Sequence, residues 1–198
     1  MNTDKTCNII SLPDADLCYY PKFLNKICAN ELYNNLLKEL DWEQYYITLF
    51  GKKIAQPRLT ALYAINESTY TYSGLQLIPE PYTQELKKLN SSLNELTRQK
   101  FTHCLANLYR DGNDSMGWHS DNERELGKDP VIASISLGSV RNFQLKHIKN
   151  PEFKHNIYLE NGSLLIMKGS TQKFWKHQLP KSKKDFSPRI NLTFRTII

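Results

Sequence analysis

Residues 188–195 read Pro188-Arg189-Ile190-Asn191-Leu192-Thr193-Phe194-Arg195. On an extended chain, period-two alternation places Arg189, Asn191, Thr193 and Arg195 on one face and Ile190, Leu192 and Phe194 on the other. If the apolar face packs outward against another layer, the polar face looks into a sandwich, where guanidinium groups without a counter-charge are costly. An anion bound there resolves the conflict. Two arginines six residues apart suit a ligand with a carboxylate at each end, held by charge-assisted, bidentate hydrogen bonds. The alternative is an exposed edge strand with solvated arginines.

Upstream of this strand, short β-rich runs lie near residues 103–109, 131–137, 142–148, 157–159, 163–167 and 175–179. Asp111-Gly112, Asn161-Gly162 and Lys168-Gly169 supply the breaks. The N-terminal half differs. Leu24, Ile27, Cys28, Leu32, Leu36 and Leu40 recur at helical spacing, as do Tyr82, Leu86, Leu89, Leu93 and Leu96 after a candidate N-cap at Thr83. Between these helices, residues 45–77 read as strands or a hairpin. Helices gathered early and many short strands late indicate an α+β fold, with a jelly-roll sandwich backed by helices.

The chain has 198 residues, 40% of them apolar, 23% charged and 11% aromatic, which suits one soluble globular domain and excludes disorder and low complexity. Apolar runs such as 164–167 are far short of the roughly 20 residues a bilayer helix needs, so no membrane association is expected. The first 20 residues carry Asp14 and Asp16 and lack the pattern of a secretory signal. Cys7, Cys18, Cys28 and Cys104 form no Cys-x-x-Cys pair and read as reduced thiols in an intracellular, reducing compartment. Net charge is +6, unevenly spread. Residues 101–140 hold 3 Lys/Arg against 6 Asp/Glu, whereas residues 141–198 hold 12 against 3. Such a basic region points to a polyanionic partner, nucleic acid first, although a solvated basic face has the same composition.

His119-Ser120-Asp121 is a His-x-Asp, which on an extended stretch directs an imidazole and a carboxylate to one face, where they can share a metal. His177, on the expected strand 175–179, supplies a second imidazole. Two His and one carboxylate on one side of a metal, with the remaining positions open, describe the facial triad of non-haem Fe(II) oxygenases. Asn107 and Tyr109 face one way just before the acidic stretch and can reach the same ligand. The acids of that stretch are expected near the cation, while the arginines hold an anionic co-substrate. His103, His147 and His155 lack such partners.

Together, Asn107-x-Tyr109, Asp111-Gly112, Asp114, His119-x-Asp121, the distal His177 and Arg189-x-Asn191-x-Thr193-x-Arg195 resemble the AlkB family of Fe(II)/2-oxoglutarate dioxygenases. The resemblance runs from about Tyr45 to the C-terminus. Phe50-Gly51-Lys52, Pro57-Arg58, Thr69-Tyr70-Thr71-Tyr72-Ser73-Gly74-Leu75, His119 to Glu125 and Gly162-Ser163-Leu164-Leu165 are most similar to the branch that repairs double-stranded DNA. The resemblance implies a double-stranded β-helix core and assigns His119, Asp121 and His177 to Fe(II). It assigns Asn107, Tyr109, Arg189, Asn191, Thr193 and Arg195 to 2-oxoglutarate, with O2 as the second co-substrate. The implied reaction is DNA repair by oxidative demethylation of 1-methyladenine and 3-methylcytosine in duplex DNA, releasing formaldehyde, succinate and CO2.

The same resemblance divides the chain into an N-terminal segment with one helix (1–44), a nucleotide-recognition lid with a flipping hairpin (45–80) and the dioxygenase core (81–198). Phe50, Gly51 and Lys52 would form an intercalating finger, with Phe50 as wedge, Gly51 for the tight turn and Lys52 on a phosphate. Tyr70, Thr71, Tyr72 and Ser73 would wall the flipped base, although Tyr70 and Tyr72 also suit a cross-strand aromatic pair. Asn122 and Glu123 would meet the base's polar edge. Arg58 and the run 181–184 would contact the backbone. Tyr72 departs from the branch, which has Phe there. A monomer in the nucleus is expected. The alternatives are a demethylase of RNA or single-stranded DNA, a catalytically inactive nucleic-acid-binding module, and an oxidase of a protein side chain or metabolite.

Overall fold

In the computed structural model, residues 6–49, 51–65, 70–72, 75–184 and 187–198 are described. In chain order the elements are β1 (Asn8–Leu12), β2 (Ala15–Tyr20), α1 (Lys26–Glu39), β3 (Tyr46–Leu49), β4 (Lys52–Ala55), β5 (Leu59–Ala64), β6 (Tyr70–Tyr72), β7 (Leu75–Leu77), β8 (Glu80–Pro81) and α2 (Gln84–Thr97). They continue as β9 (His103–Tyr109), β10 (Met116–His119), β11 (Ile132–Gly138), β12 (Arg141–His147), β13 (Lys154–Leu159), β14 (Ser163–Lys168), α3 (Thr171–Phe174), β15 (Trp175–Leu179) and β16 (Arg189–Arg195). Among the described residues no helix is long and apolar enough to cross a membrane.

The arginine strand β16 is central, not an edge: it pairs antiparallel with β11 on one side and β9 on the other. The larger sheet has the order β1-β2-β14-β11-β16-β9-β5-β8, and a second sheet has the order β10-β15-β12-β13. The two sheets make the jelly-roll. Ile190, Leu192 and Phe194 point away from the second sheet into a core shared with Leu32, Leu36, Leu86, Leu89 and Leu93 of α1 and α2. This apolar layer forces the alternate residues of β16 inward. A separate apolar cluster, including Leu145, Ile157, Leu165, Met167 and Trp175, closes the space between the sheets.

α2 begins where the sequence places its cap, at Thr83, and α1 begins after Asn25 in the same way. The Asn25 Oδ1 accepts from the Cys28 amide at 2.9 Å, and the Thr83 Oγ1 accepts from the Leu86 amide at 3.3 Å, each satisfying one orphan donor of a first turn. Ile27, expected on the buried face of α1, is instead 72% exposed. It is two residues, about 200° of helical rotation, from the fully buried Ala29 and so lies on the opposite face.

The segment before residue 45 carries α1 as expected, together with the hairpin β1–β2 that the sequence reading passed over. β2 pairs with β14 and extends the larger sheet. The hairpin is tied to the smaller sheet's side as well: the Trp175 Nε1 donates to the Pro13 carbonyl at 2.8 Å, and the Tyr19 hydroxyl donates to the Tyr158 carbonyl at 3.0 Å. Gly162 fixes the entry to α1. Its φ is +81°, its carbonyl accepts from the Leu24 amide at 2.9 Å, and a Cβ there would lie 2.7 Å from the Leu24 carbonyl oxygen. The boundaries at 45 and 80 also cut across the sheet, because β5 pairs with β9 inside it. Outside the two main sheets stand the hairpins β3–β4 and β6–β7.

Candidate active site

A cavity of about 480 Å³, open mouth included, lies between the sheets. All nine residues assigned to Fe(II) and 2-oxoglutarate line it: His119, Asp121, His177, Asn107, Tyr109, Arg189, Asn191, Thr193 and Arg195. The ligand atoms of His119, Asp121 and His177 lie within 4.8 Å of one another. His119 and His177 face each other across the β10–β15 pair, with ring centroids 4.2 Å apart.

Alternation does not bring Asp121 to His119, as the His-x-Asp spacing suggested. β10 ends at His119, and Asp121 sits in the loop beyond it. Two contacts from α3 and β15 hold that loop: the Asp121 amide donates to the Gln172 Oε1 at 2.9 Å, and the Ser120 hydroxyl donates to the Trp175 carbonyl at 2.8 Å. Gln172 is 3% exposed and no sequence motif marked it. Outer residues of this kind typically account for 10- to 100-fold in metal affinity or activity. Gln172→Leu is therefore expected to weaken Fe(II) affinity by about 10- to 100-fold, which calorimetric titration of the apoprotein would measure.

The electrostatics suit a divalent cation. The His119 Nδ1 lies 2.8 Å from the Gly117 carbonyl, so it carries the proton and leaves the Nε2 lone pair for a metal. Burial lowers the pKa of His119, and burial together with neighbouring His119 brings that of His177 down to about 3, so both rings are neutral. Burial alone would raise Asp121, but the Arg195 guanidinium beside it outweighs burial and holds the carboxyl at about 2. The Asp121 Oδ1 lies 3.1 Å from the Arg195 Nη2 yet accepts no aligned hydrogen bond. The site thus offers two neutral imidazoles and an ionised carboxylate, the donor set that Fe(II) takes.

Across the cavity, Arg189 is 2% exposed. Its Nη2 donates to the Ser136 hydroxyl at 2.9 Å and its Cζ lies 5.3 Å from the Tyr109 ring centroid, but its Nε has no partner. Burial lowers its pKa to about 10, which leaves it charged. A buried guanidinium with an unused donor suits a carboxylate. Asn191 donates to the Ser134 hydroxyl at 2.8 Å and accepts from the Thr193 hydroxyl at 3.3 Å, fixing the polar floor between the two arginines. Ser134 and Ser136 had no signal of their own in the sequence; the register of β11 against β16 brings them here. The chain's own residues therefore fit both Fe(II) and a dicarboxylate.

Two other expectations need correction, on Arg58 and on the acidic stretch. Arg58 is 4% exposed, and its Nε donates to the Asn107 Oδ1 at 2.9 Å, so it orients a cavity residue and is not placed to meet a phosphate backbone. The acidic stretch does not gather at the cation. Asp114 accepts three hydrogen bonds from Arg110, two from the guanidinium at 2.8 and 2.9 Å and one from the amide at 2.8 Å, and Asp111 accepts from the Asn113 amide at 2.7 Å within its own turn. Asn122 is exposed and Glu123 half-buried on the loop after Asp121, and neither lines the cavity. Phe50 and Ser73 lie outside the described residues. The backbone of Tyr70, Thr71 and Tyr72 forms β6, while Gly51 and Lys52 are exposed at the β3–β4 turn. His147 is structural: its Nδ1 accepts from two backbone amides at 3.0 and 3.2 Å, and its Nε2 lies 3.3 Å from an Asp14 carboxylate oxygen.

Residues 16–195 match the 2OG-Fe(II) oxygenase superfamily. The chain is 40% identical over 190 residues to mouse alpha-ketoglutarate-dependent dioxygenase alkB homolog 3, covering 91% of this chain and 66% of that protein. It is 38% identical over 191 residues to the human DNA oxidative demethylase ALKBH2, covering 91% of this chain and 73% of that protein.

The chain belongs to the AlkB family.

Its fold agrees with that of a solved AlkB structure, OsALKBH1, at a TM-score of 0.61 and 21% identity over 96% of this chain and the whole of the other. The chain spans about two-thirds of the length of the alkB homolog 3 proteins it matches. AlkB chemistry uses Fe(II) with 2-oxoglutarate and O2, the set that the triad and the two-arginine strand suit.

Proposed function

We propose that this AlkB-family chain repairs nucleic acid by oxidative demethylation of N-alkylated bases, with 1-methyladenine and 3-methylcytosine in duplex DNA as its substrates. One observation carries the reading: a neutral His, Asp, His cluster and a strand with two buried arginines share one cavity, in a chain 38% identical to a DNA oxidative demethylase.

When bound, Fe(II) with 2-oxoglutarate and O2 supplies the oxidising power that hydroxylates an N-methyl group, after which formaldehyde leaves the base and succinate and CO2 leave the site. The residues do the rest. His119, Asp121 and His177 hold the metal from one side and leave the opposite side open. Arg189 and Arg195 take the carboxylates of 2-oxoglutarate, while Asn107, Tyr109, Asn191 and Thr193 line its path. The low dielectric of the buried cavity strengthens each of these contacts.

The duplex preference rests on the β3–β4 hairpin. Gly51 turns it at φ +75°, nothing among the described residues beyond its chain neighbours lies within 4 Å of where a Cβ would be, and Lys52 and Lys53 are exposed beside it. Such a tip suits a wedge that fills the gap left by a flipped base. We assign residues around β3–β4 and β6–β7 to the lid, with Tyr70 and Tyr72 beside the flipped base and Asn122 and Glu123 at its edge. The nuclear location follows the same resemblance.

The test is mass spectrometry of a duplex oligonucleotide carrying one 1-methyladenine, incubated with Fe(II), ascorbate and O2. Loss of one methylene mass only with 2-oxoglutarate present, and not by His119→Ala, is the expected result. Faster loss from the same strand without its complement would favour the single-strand and RNA alternative. Succinate formed at a rate indifferent to any oligonucleotide would overturn the nucleic-acid reading.

A further inference from the structure

The two faces of the smaller sheet have different chemistry. Its inner face carries His119, His177, Phe143 and Leu159 into the cavity. On its outer face, the residues one step along each strand include Lys176 of β15, Lys146 of β12 and Lys154 of β13. Register sets Lys146 directly opposite Lys176 on one side and directly opposite Lys154 on the other. At about 4.8 Å between strands the row is about 10 Å long. Like charges directly opposite across strands are destabilising, so the fold holds three of them in line against its own stability.

Nothing among the described residues neutralises the row. Among the described residues no carboxylate lies within 4.0 Å of Lys146, Lys154 or Lys176, nor of Lys149 and Lys173 at the adjoining end of the sheet, whose ammonium groups stand over the Phe174 ring at 5.9 and 5.3 Å. From Arg141 to Leu159 the sequence has a single acid, Glu152. The row reaches the edge strand β10 through Trp118, over whose ring the Lys146 ammonium sits at 4.3 Å from the centroid. Trp118 directly precedes the candidate iron ligand His119.

We propose that this outer face is a second nucleic-acid contact surface, which binds the phosphate backbone of the strand running on from the target base. It rests on the reading of nucleic acid as substrate. A row about 10 Å long covers about three rises of about 3.4 Å per nucleotide along a strand, so its three ammonium groups lie within reach of neighbouring phosphates of that strand. The contact is to phosphate and carries no sequence preference. Its effect is to anchor long substrates while the cavity acts on one base.

The test uses the full chain with Lys146→Gln, Lys154→Gln and Lys176→Gln combined, which keeps most of each aliphatic stem and removes the charge. A control replaces the exposed Lys22, Lys87 and Lys100 by Gln, changing net charge equally. Binding of an unmodified single-stranded 30-mer is measured by fluorescence anisotropy across a salt series. The sheet variant is expected to bind on the order of 10- to 100-fold more weakly at 0.1 M salt, with the slope of log K against log salt reduced by about 2, three contacts at about 0.7 each. The control should match the parent more nearly, and the sheet variant should melt no lower than the parent because the mutual repulsion is gone. Turnover of a methylated trinucleotide should be unchanged.

Equal affinity and slope in the sheet variant and the control overturn the proposal. So does a variant that keeps oligonucleotide affinity and instead loses binding to phosphatidylserine vesicles. A parent protein that demethylates no oligonucleotide overturns the functional reading, and the binding comparison still decides this one.

Discussion

Arg189→Met is expected to raise the KM for 2-oxoglutarate by about two to three orders of magnitude while leaving the folded protein at least as stable. Both parts follow from burial. Losing one partner of a buried, hydrogen-bonded charge pair costs about 2–5 kcal/mol, and each 1.4 kcal/mol is a factor of ten. Without the co-substrate, however, the Arg189 Nε is a buried donor with no partner, and burial already depresses the guanidinium's pKa. Replacing a costly buried charge by an apolar side chain of similar length is often neutral or stabilising, by about 1–4 kcal/mol in well-packed sites. Steady-state kinetics measures the first effect and thermal melting the second. In the parent, saturating 2-oxoglutarate with a divalent metal should raise the melting temperature by mass action. In Arg189→Met that rise should be absent at the same concentration. A variant that melts well below the parent would show that Ser136 and Tyr109, and not a co-substrate carboxylate, are what Arg189 exists to hold.

Asp121→Ala should abolish turnover and also destabilise the metal-free protein by about 3–5 kcal/mol, because it removes the carboxylate that faces the buried Arg195 guanidinium at 3.1 Å. For a chain of this length that is a fall in melting temperature of roughly 6–20 °C. Asp121→Asn separates the two roles. It keeps a polar oxygen near the guanidinium but removes the charge, so Fe(II) affinity should fall by at least about 100-fold, the upper end for residues that merely support ligands. Its loss of stability should be smaller than that of Asp121→Ala. Calorimetric metal titration and apoprotein melting, run on both variants, give the comparison. If Asp121→Ala melts with the parent, the Arg195 ion pair is not a determinant of stability.

Residues whose role follows from local pattern were legible in the sequence. Strand β16 alternates without interruption, α1 and α2 have capping residues at their starts, and β9 and β15 have the bounds read from β-branched and aromatic runs. The hairpin β1–β2 was missed because its first strand is mostly exposed and shows no clean alternation of apolar and polar residues. Asp14 there has φ +57°, a turn conformation that Asp tolerates. Arg58 was misplaced for the opposite reason. A basic residue near a hairpin resembles a phosphate contact, and only the pairing of β5 with β9 shows that it is walled in beside Asn107.

The acidic stretch makes the same point. Six carboxylates in forty residues pointed to a cation, yet Asp114 is taken by Arg110 and Asp111 by its own turn, and of the six it is Asp121 that lines the cavity. A carboxylate's role depends on which groups reach it, and for Asp121 those are His119, His177 and Arg195, which only the folded chain brings together.

By itself the sequence determined the ingredients. These are a strand polar on one side and apolar on the other, two imidazoles and a carboxylate of the types that bind iron, and a basic final third. Each follows from residue type and from a period of two or 3.6, which act over a few neighbours. Only the tertiary structure decided which face of β16 looks inward, since that depends on α1 and α2 covering its apolar side. Only the tertiary structure brought His177 to His119, through the β10–β15 pair, and set Lys146 between Lys154 and Lys176. Those are matters of register between distant strands, and register is a property of the assembled sheet.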